Sequence, residues 1–197
     1  MSDAETLRVY ARKAPEYQAL TEKGAGNDPL FQAFLAALPA GADVLDLGCG
    51  PGHFAAAMAA AGHRPRATDA APEFVEMAGQ HPGVRADLAS FDDIDEIGVY
   101  DGIWANFSLL HAARKDVPRH LKALHRALKP GGVFHISVKE GEGSKRDELG
   151  RLYTYFTDAE LSAMLHDAGF TVTDRAQGQE MGLDKVMAPW IALRAHA

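Results

Sequence analysis

Short apolar runs alternate along the chain with segments whose apolar residues recur at helical spacing. "ADVLDLG" (42–48) has the form of a buried strand, "HFAAAMAAAG" (53–62) of a helix, "RPRATDA" (64–70) of a strand, "PEFVEMAGQ" (72–80) of a helix and "GVRADL" (83–88) of a strand. "YDGIWANFSLL" (100–110) then reads as a strand and "DVPRHLKALHRAL" (116–128) as a helix, with Asp116 as N-cap and Pro118 in the first turn. "KPGG" (129–132) makes the turn into a further strand, "GGVFHISV" (131–138). Alternation of this kind predicts βαβ units and a parallel sheet.

The two ends follow other patterns. Apolar spacing in "LRVYARKAPEYQAL" and "PLFQAFLAAL" predicts a helical segment over 1–38, broken by a loop at "TEKGAGND". In "TDAELSAMLHDAGF" (157–170), Thr157 and Glu160 are spaced as a capping box and Gly169 sits where a C′ residue belongs, so one more helix is expected. "FTVTDRAQ" and "PWIALRAH" are strand candidates. Residues 139–156, "KEGEGSKRDELGRLYTYF", form a charged, glycine-containing excursion with aromatics at its end.

Composition changes this picture only by exclusion. The 197 residues are expected to form one domain, and 47% hydrophobic with 24% charged residues is ordinary for a globular protein. A net charge of −7 offers no general attraction for nucleic acid or anionic lipid, so neither is expected as a partner. The single cysteine, Cys49, excludes an internal disulfide, no Cys/His cluster has metal spacing, and no leader or membrane-spanning run is visible, which together predict a cytoplasmic protein without a metal.

The chemistry concentrates in "VLDLGCGPGHF" (44–54). After a buried strand, Gly48, Gly50 and Gly52 permit positive φ and bring the backbone close to a ligand, while the helix starting near His53 turns its unpaired N–H groups toward the same space. The spacing is G-x-G-x-G, since His53 stands where the dinucleotide fingerprint needs a third glycine. Asp69 closes the next strand 21 residues after Gly48, where an acid can bind ribose hydroxyls.

With "ATDAAPEFVEMA", "VRADLASFDDI", "YDGIWANFSLLH" and "LKPGGVFHISV", this stretch resembles the class I S-adenosylmethionine-dependent methyltransferases over about residues 40–138, in the small bacterial type consisting of the methyltransferase domain only. The resemblance implies a doubly wound α/β fold: a seven-stranded sheet in the order 3-2-1-4-5-7-6 with the last strand antiparallel, helices on both faces, and N-terminal helices as a cap over 1–38. It implies S-adenosylmethionine as cofactor and S-adenosylhomocysteine as product. By position, Asp46 would lie near the amino acid part of the cofactor, Gly48, Cys49 and Gly50 would back the methionyl and ribose parts, and Asp69 would take the ribose hydroxyls. Ala70 would flank the adenine, with Asp87 and Leu88 at its amino group. Asn106 and Phe107 would end the fourth strand at the ligand edge, and Tyr10 would fold over the cofactor from the N-terminal helix.

The acceptor side is less defined. A hydroxyl, ammonium or thiol acceptor has to lose a proton, and His111, just past the fourth strand, is the candidate base. His120 and His125 fall on an expected exposed helix, and His63 and His81 in turns away from the site. Tyr17, Arg146, Arg151 and Tyr153 are substrate candidates, the last three on the 139–156 excursion read as a possible lid. The expected reaction is in-line methyl transfer to a small-molecule nucleophile, oxygen, nitrogen or another atom, anionic if the lid cations meet it. A non-catalytic S-adenosylmethionine-binding or sensing protein is the alternative. A nicotinamide oxidoreductase is disfavoured by His53, and base or glutamine amino methylation by "NFSL" in place of an "NPPY" motif. No apolar stripe marks a dimer face.

Overall fold

The computed structural model describes residues 3–22 and 25–197. Two helices, α1 (Ala4–Thr21) and α2 (Pro29–Ala36), come first, with the 21–28 loop between them partly outside the described residues. Each helix opens on an aspartate cap: Asp3 accepts from the Thr6 amide, and Asp28 from the Leu30 and Phe31 amides. The alternating core follows as β1 (Asp43–Leu47), α3 (His53–Ala60), β2 (Arg64–Asp69), α4 (Pro72–Gly79), β3 (Arg85–Leu88), β4 (Tyr100–Asn106), α5 (Val117–Ala127) and β5 (Leu128–Lys139). A small hairpin, β6 (Ser144–Arg146) and β7 (Leu152–Thr154), precedes α6 (Asp158–Asp167) and a long closing hairpin, β8 (Thr171–Met181) and β9 (Met187–His196).

Seven strands make one sheet in the order β3-β2-β1-β4-β5-β9-β8. With β8 and β9 as the sixth and seventh, this is the expected order, and β9 alone runs antiparallel to its neighbours β5 and β8. The central parallel strands β1, β4 and β5 are largely apolar on both faces because both are covered, whereas β2 and β3 toward the edge are polar and half-buried. Phe31, Phe34, Met58 and Trp104 fill one side; Leu45, Ile103, Leu121, Phe134 and Leu165 fill the other. Strand order reverses between β1 and β4, so the crevice at their carboxyl ends is where an open α/β sheet takes its ligand. Among the described residues no helix is long and apolar enough to cross a membrane.

Several local expectations change. The segment 129–132 is a bulge within β5, whose register against β4 jumps between Tyr100 and Gly102, and not a separate turn. Asp116 occupies the N-cap of α5 but its side chain makes no capping bond. Thr157 caps Glu160, yet the Glu160 carboxylate reaches Arg114 and leaves the box half closed. Gly169, at φ +105°, completes the α6 C-cap, with the Phe170 amide donating to Leu165 O at 3.0 Å. His120 is buried against Phe91, since it lies on the apolar stripe of α5 with Leu121 and Leu124. The 139–156 excursion is a hairpin in which Arg151, Tyr153 and Thr154 are buried.

Candidate active site

β1 turns through Gly48, Cys49 and Gly50 into α3. The Gly48 and Cys49 amides both donate to Thr68 O, at 2.8 and 2.9 Å, tying the turn to β2. Gly48 has φ +70°, and a Cβ there would stand 2.4 Å from Ser108 Cβ, so only glycine closes this turn against the end of β4. Cys49 is buried, donating weakly to Gly50 O, and burial raises its thiol pKa; it acts as a small turn residue.

Two carboxylates border the turn. Asp69 accepts from the Gly50 amide at 3.0 Å and the Ala71 amide at 2.9 Å; burial raises its pKa and these amides oppose the rise. Asp46 is 2% exposed, and its Oδ2 has no hydrogen-bond partner among the described residues. Burial pushes its carboxyl up to about 7, the Ala55 amide working against this and the Asp69 charge adding to it. A buried carboxylate oxygen without a donor is costly, and this one borders a cavity.

That cavity, about 250 Å³, lies at the carboxyl edge of β1, β4 and β5. A smaller one of about 80 Å³ opens beside Asp69, Ala70, Phe74, Ser90 and Phe91. They share Tyr10, Tyr17, Gly48, Gly50, Asn106, Phe107 and His111 as walls. Phe107, at φ +52°, holds a left-handed conformation that costs a bulky residue about 1–3 kcal/mol, the kind of strain that collects at functional sites.

The roof comes from α1 and the β6–β7 hairpin. Tyr10 and Tyr17 pack on Phe74, at centroid distances of 5.7 and 5.6 Å, and the Tyr17 ring stands over Gly50. Arg146 binds both oxygens of Asp3, at 2.8 and 2.9 Å, and the Leu152 amide donates to Thr6 Oγ1 at 2.8 Å. Arg151, 1% exposed, forms a buried ion pair with Asp147 at 2.7 Å and donates to the Tyr10 hydroxyl at 3.2 Å.

These contacts decide the role of His111. Its Nδ1 lies 2.7 Å from Leu152 O and so carries the proton, leaving Nε2 to accept from the Tyr10 hydroxyl at 2.8 Å. Burial, opposed by the bond to Leu152, lowers its pKa to about 4. The expected base therefore has both nitrogens engaged, and it anchors the roof.

Of the other expected site residues, Asp46, Gly48, Cys49, Gly50, Asp69, Ala70, Asn106, Phe107, Tyr10, Tyr17, Arg151 and Tyr153 all border the two cavities. Asp87 and Leu88 do not: Asp87 is held by Arg66 at 2.7 Å and Arg85 at 3.1 Å, and Leu88 is exposed. Ala89, Ser90 and Phe91 stand at the cavity in their place. Arg146 faces Asp3 and solvent, whereas Arg151 is ion-paired with Asp147, its buried Nη2 making no hydrogen bond among the described residues. His81 lies 3.1 Å from Pro51 O behind the glycine turn, so it is not remote from the site. Lys139, a lesser candidate of the 139–156 excursion, also borders the larger cavity at the end of β5, and unanticipated walls are Glu180, Met181, Leu183 and Trp190 from the closing hairpin. The apolar residues Met181 and Leu183 of the connection are the trace they leave in the sequence. Among the described residues no cluster of His, Cys, Asp or Glu could hold a metal ion.

A family model described as a methyltransferase domain matches residues 18–175. The chain belongs to the methyltransferase domain family. A ubiquinone biosynthesis O-methyltransferase of Xanthomonas axonopodis pv. citri (strain 306) is 31% identical over 69% of this chain and 65% of its own length. A protein of the same name from Xanthomonas oryzae pv. oryzae (strain PXO99A) is 36% identical over 50% of this chain and 44% of its own. The chain thus spans roughly half to two thirds of the curated relatives it matches. The crystal structure of Burkholderia thailandensis 1,6-didemethyltoxoflavin-N1-methyltransferase, with its substrate and S-adenosylhomocysteine bound, superposes with a TM-score of 0.80 at 27% identity, covering 98% of this chain and 87% of that one. The residues present here fit S-adenosylmethionine. Asp46 Oδ2 offers an unmet buried acceptor for an ammonium group, the glycine turn leaves room for a ligand backbone, and Asp69 reaches the smaller cavity.

Proposed function

We propose that this chain transfers a methyl group from S-adenosylmethionine to a small-molecule nucleophile by in-line displacement, with Asp46, the glycine turn, Asp69, Ala70 and the Ala89–Phe91 segment holding the cofactor. The observation that carries this reading is the partnerless, buried Asp46 oxygen beside a glycine turn at the sheet's switch point. Bound there, the cofactor would supply an activated methyl group, which the acceptor's lone pair would take as the carbon–sulfur bond broke and left its electron pair on sulfur.

The protein's part is to position and to exclude water. Tyr17, over Gly50, belongs to the cofactor side, and Tyr10, whose hydroxyl joins His111 and Arg151, closes the seam toward the acceptor. Asn106 has no side-chain hydrogen bond among the described residues and is available at the floor. Phe107, Tyr153 and Trp190 line the larger cavity and suit a flat acceptor; the relatives named for ubiquinone biosynthesis and for 1,6-didemethyltoxoflavin support such a class. The net charge of −7 and the single cysteine support a small-molecule partner and a cytoplasmic setting over nucleic acid or membrane.

The test is calorimetric binding of S-adenosylmethionine and S-adenosylhomocysteine to the wild type and to Asp69→Ala, followed by transfer of labelled methyl to a panel of flat phenols and ring nitrogens. Binding that weakens in the variant, with label passing to an acceptor, is the expected result. Absence of binding by either ligand overturns the reading; binding without transfer to any acceptor would favour the sensing alternative.

A further inference from the structure

The larger cavity contains two cations, and they are not equivalent. Arg151 has its charge paired by Asp147 and donates to the Tyr10 hydroxyl, although its Nη2 makes no hydrogen bond among the described residues. Lys139 has no carboxylate oxygen within 4.0 Å of Nζ and donates no hydrogen bond among the described residues; its ammonium rests 4.0 Å from the centre of the Tyr153 ring. A cation–π contact of this kind fixes the position of an ammonium while leaving its N–H groups unspent. Its place is set by the sheet: Lys139 ends β5, paired with Trp190 of β9, two residues beyond the Ser137 that pairs with Asn106.

The charges that face it come from three directions: Asp184 in the turn of the closing hairpin, Arg151 with its partner Asp147 and Lys145 on the small hairpin, and Glu180 on β8. Burial lowers the Lys139 pKa and Asp184 opposes this, so an anion placed on Nζ would be held by a group already partly desolvated. Aromatic walls stand beside it, with Phe107 and Trp190 edge to face at 6.4 Å.

Building on the methyltransferase reading above, we propose that Lys139 is the anion-binding residue of the acceptor site, and that the acceptor is a planar, conjugated acid bound as its anion, its negative atom on the Lys139 ammonium. This accounts for a site whose one histidine at the seam has no basic nitrogen to spare. The acceptor's proton leaves to solvent as the anion binds, so forming the carbon bond requires no proton transfer.

4-Nitrophenol, whose phenolate is coloured, serves as the probe against the full chain saturated with S-adenosylhomocysteine. Absorbance against pH is expected to show the bound probe's pKa falling by about one unit, a roughly tenfold preference for the anion and the size of one charge-assisted hydrogen bond. Lys139→Met should abolish the shift and Lys139→Arg restore it, with S-adenosylhomocysteine affinity and melting temperature unchanged in both. Should Lys139→Met fail to fold, Lys139→Gln is read in its place. An unshifted probe, no bound probe, or a shift that survives removal of the ammonium overturns this inference alone; failure of S-adenosylhomocysteine to bind the wild type removes the methyltransferase reading on which it rests.

Discussion

The floor and the roof of the site are built in opposite ways. The floor is a strand, a glycine turn and a helix contiguous in the chain, held by backbone hydrogen bonds from Gly48 and Cys49 to Thr68. The roof is two remote segments, α1 and the β6–β7 hairpin, held by side chains: Arg146 to Asp3, Arg151 to Tyr10, Tyr10 to His111. Backbone-built parts tolerate changes at most side chains and fail at glycine. Side-chain-built parts fail one contact at a time and can open while the rest of the protein stays folded.

The largest effect should come from the roof's one buried ion pair. Arg151→Ala leaves Asp147 buried without its partner and is expected to cost about 3–5 kcal/mol of unfolding free energy in urea titration. A loss under about 1 kcal/mol would mean that water replaces the guanidinium and that the roof is looser than its contacts suggest. Next, on the floor, Gly48→Ala combines a positive φ with a 2.4 Å overlap on Ser108. It should lower stability by about 2–4 kcal/mol and abolish S-adenosylhomocysteine binding in calorimetry.

Asp46 gives a pH test of the floor. Its pKa in the folded protein is raised to about 7, so above the ordinary carboxylate range the folded state keeps a proton that the unfolded state has released. Stability is therefore lost as pH rises from that range through 7, and Asp46→Asn should gain on wild type by the order of 2 kcal/mol at pH 8 while binding S-adenosylhomocysteine at least tenfold more weakly. Melting curves at several pH values, with and without ligand, check both halves; a variant with unimpaired binding would remove Asp46 from the cofactor site.

His111 gives the reverse sign in the roof. Its pKa is lowered from 6.5 to about 4, so it contributes stability above 6.5 that is lost as pH falls toward 4, and His111→Gln should flatten that part of the stability profile. The smallest effect is expected at Arg146→Ala. Its exposed contact with Asp3 should leave global unfolding unchanged and speed amide exchange in the first turn of α1, which mass-resolved hydrogen exchange can read.

Legibility followed the same division. "VLDLGCGPGHF" and Asp69 announced the floor because strand, turn and helix are local and each has a residue signature; the alternation of elements predicted a parallel sheet, and the strand order came from the family resemblance. Asp87 misled because Arg66, across on β2, holds its carboxylate away from the cavity. His111 misled because its accessibility depends on Tyr10 and Leu152, 101 and 41 residues away. Lys139 and Arg151 look alike in a charged excursion; only the fold gives one an aspartate partner and leaves the other over the Tyr153 ring at the larger cavity.

By itself, then, the sequence determined the α/β sheet, the glycine turn and the two carboxylates beside it, because hydrophobic period and glycine placement act within a few residues. The tertiary structure decided which cation is unpaired, which histidine is spent and what closes the site. Those outcomes rest on contacts between segments up to 146 residues apart, whose partners are chosen by packing and by competition among many similar charges, and no local signal records the result.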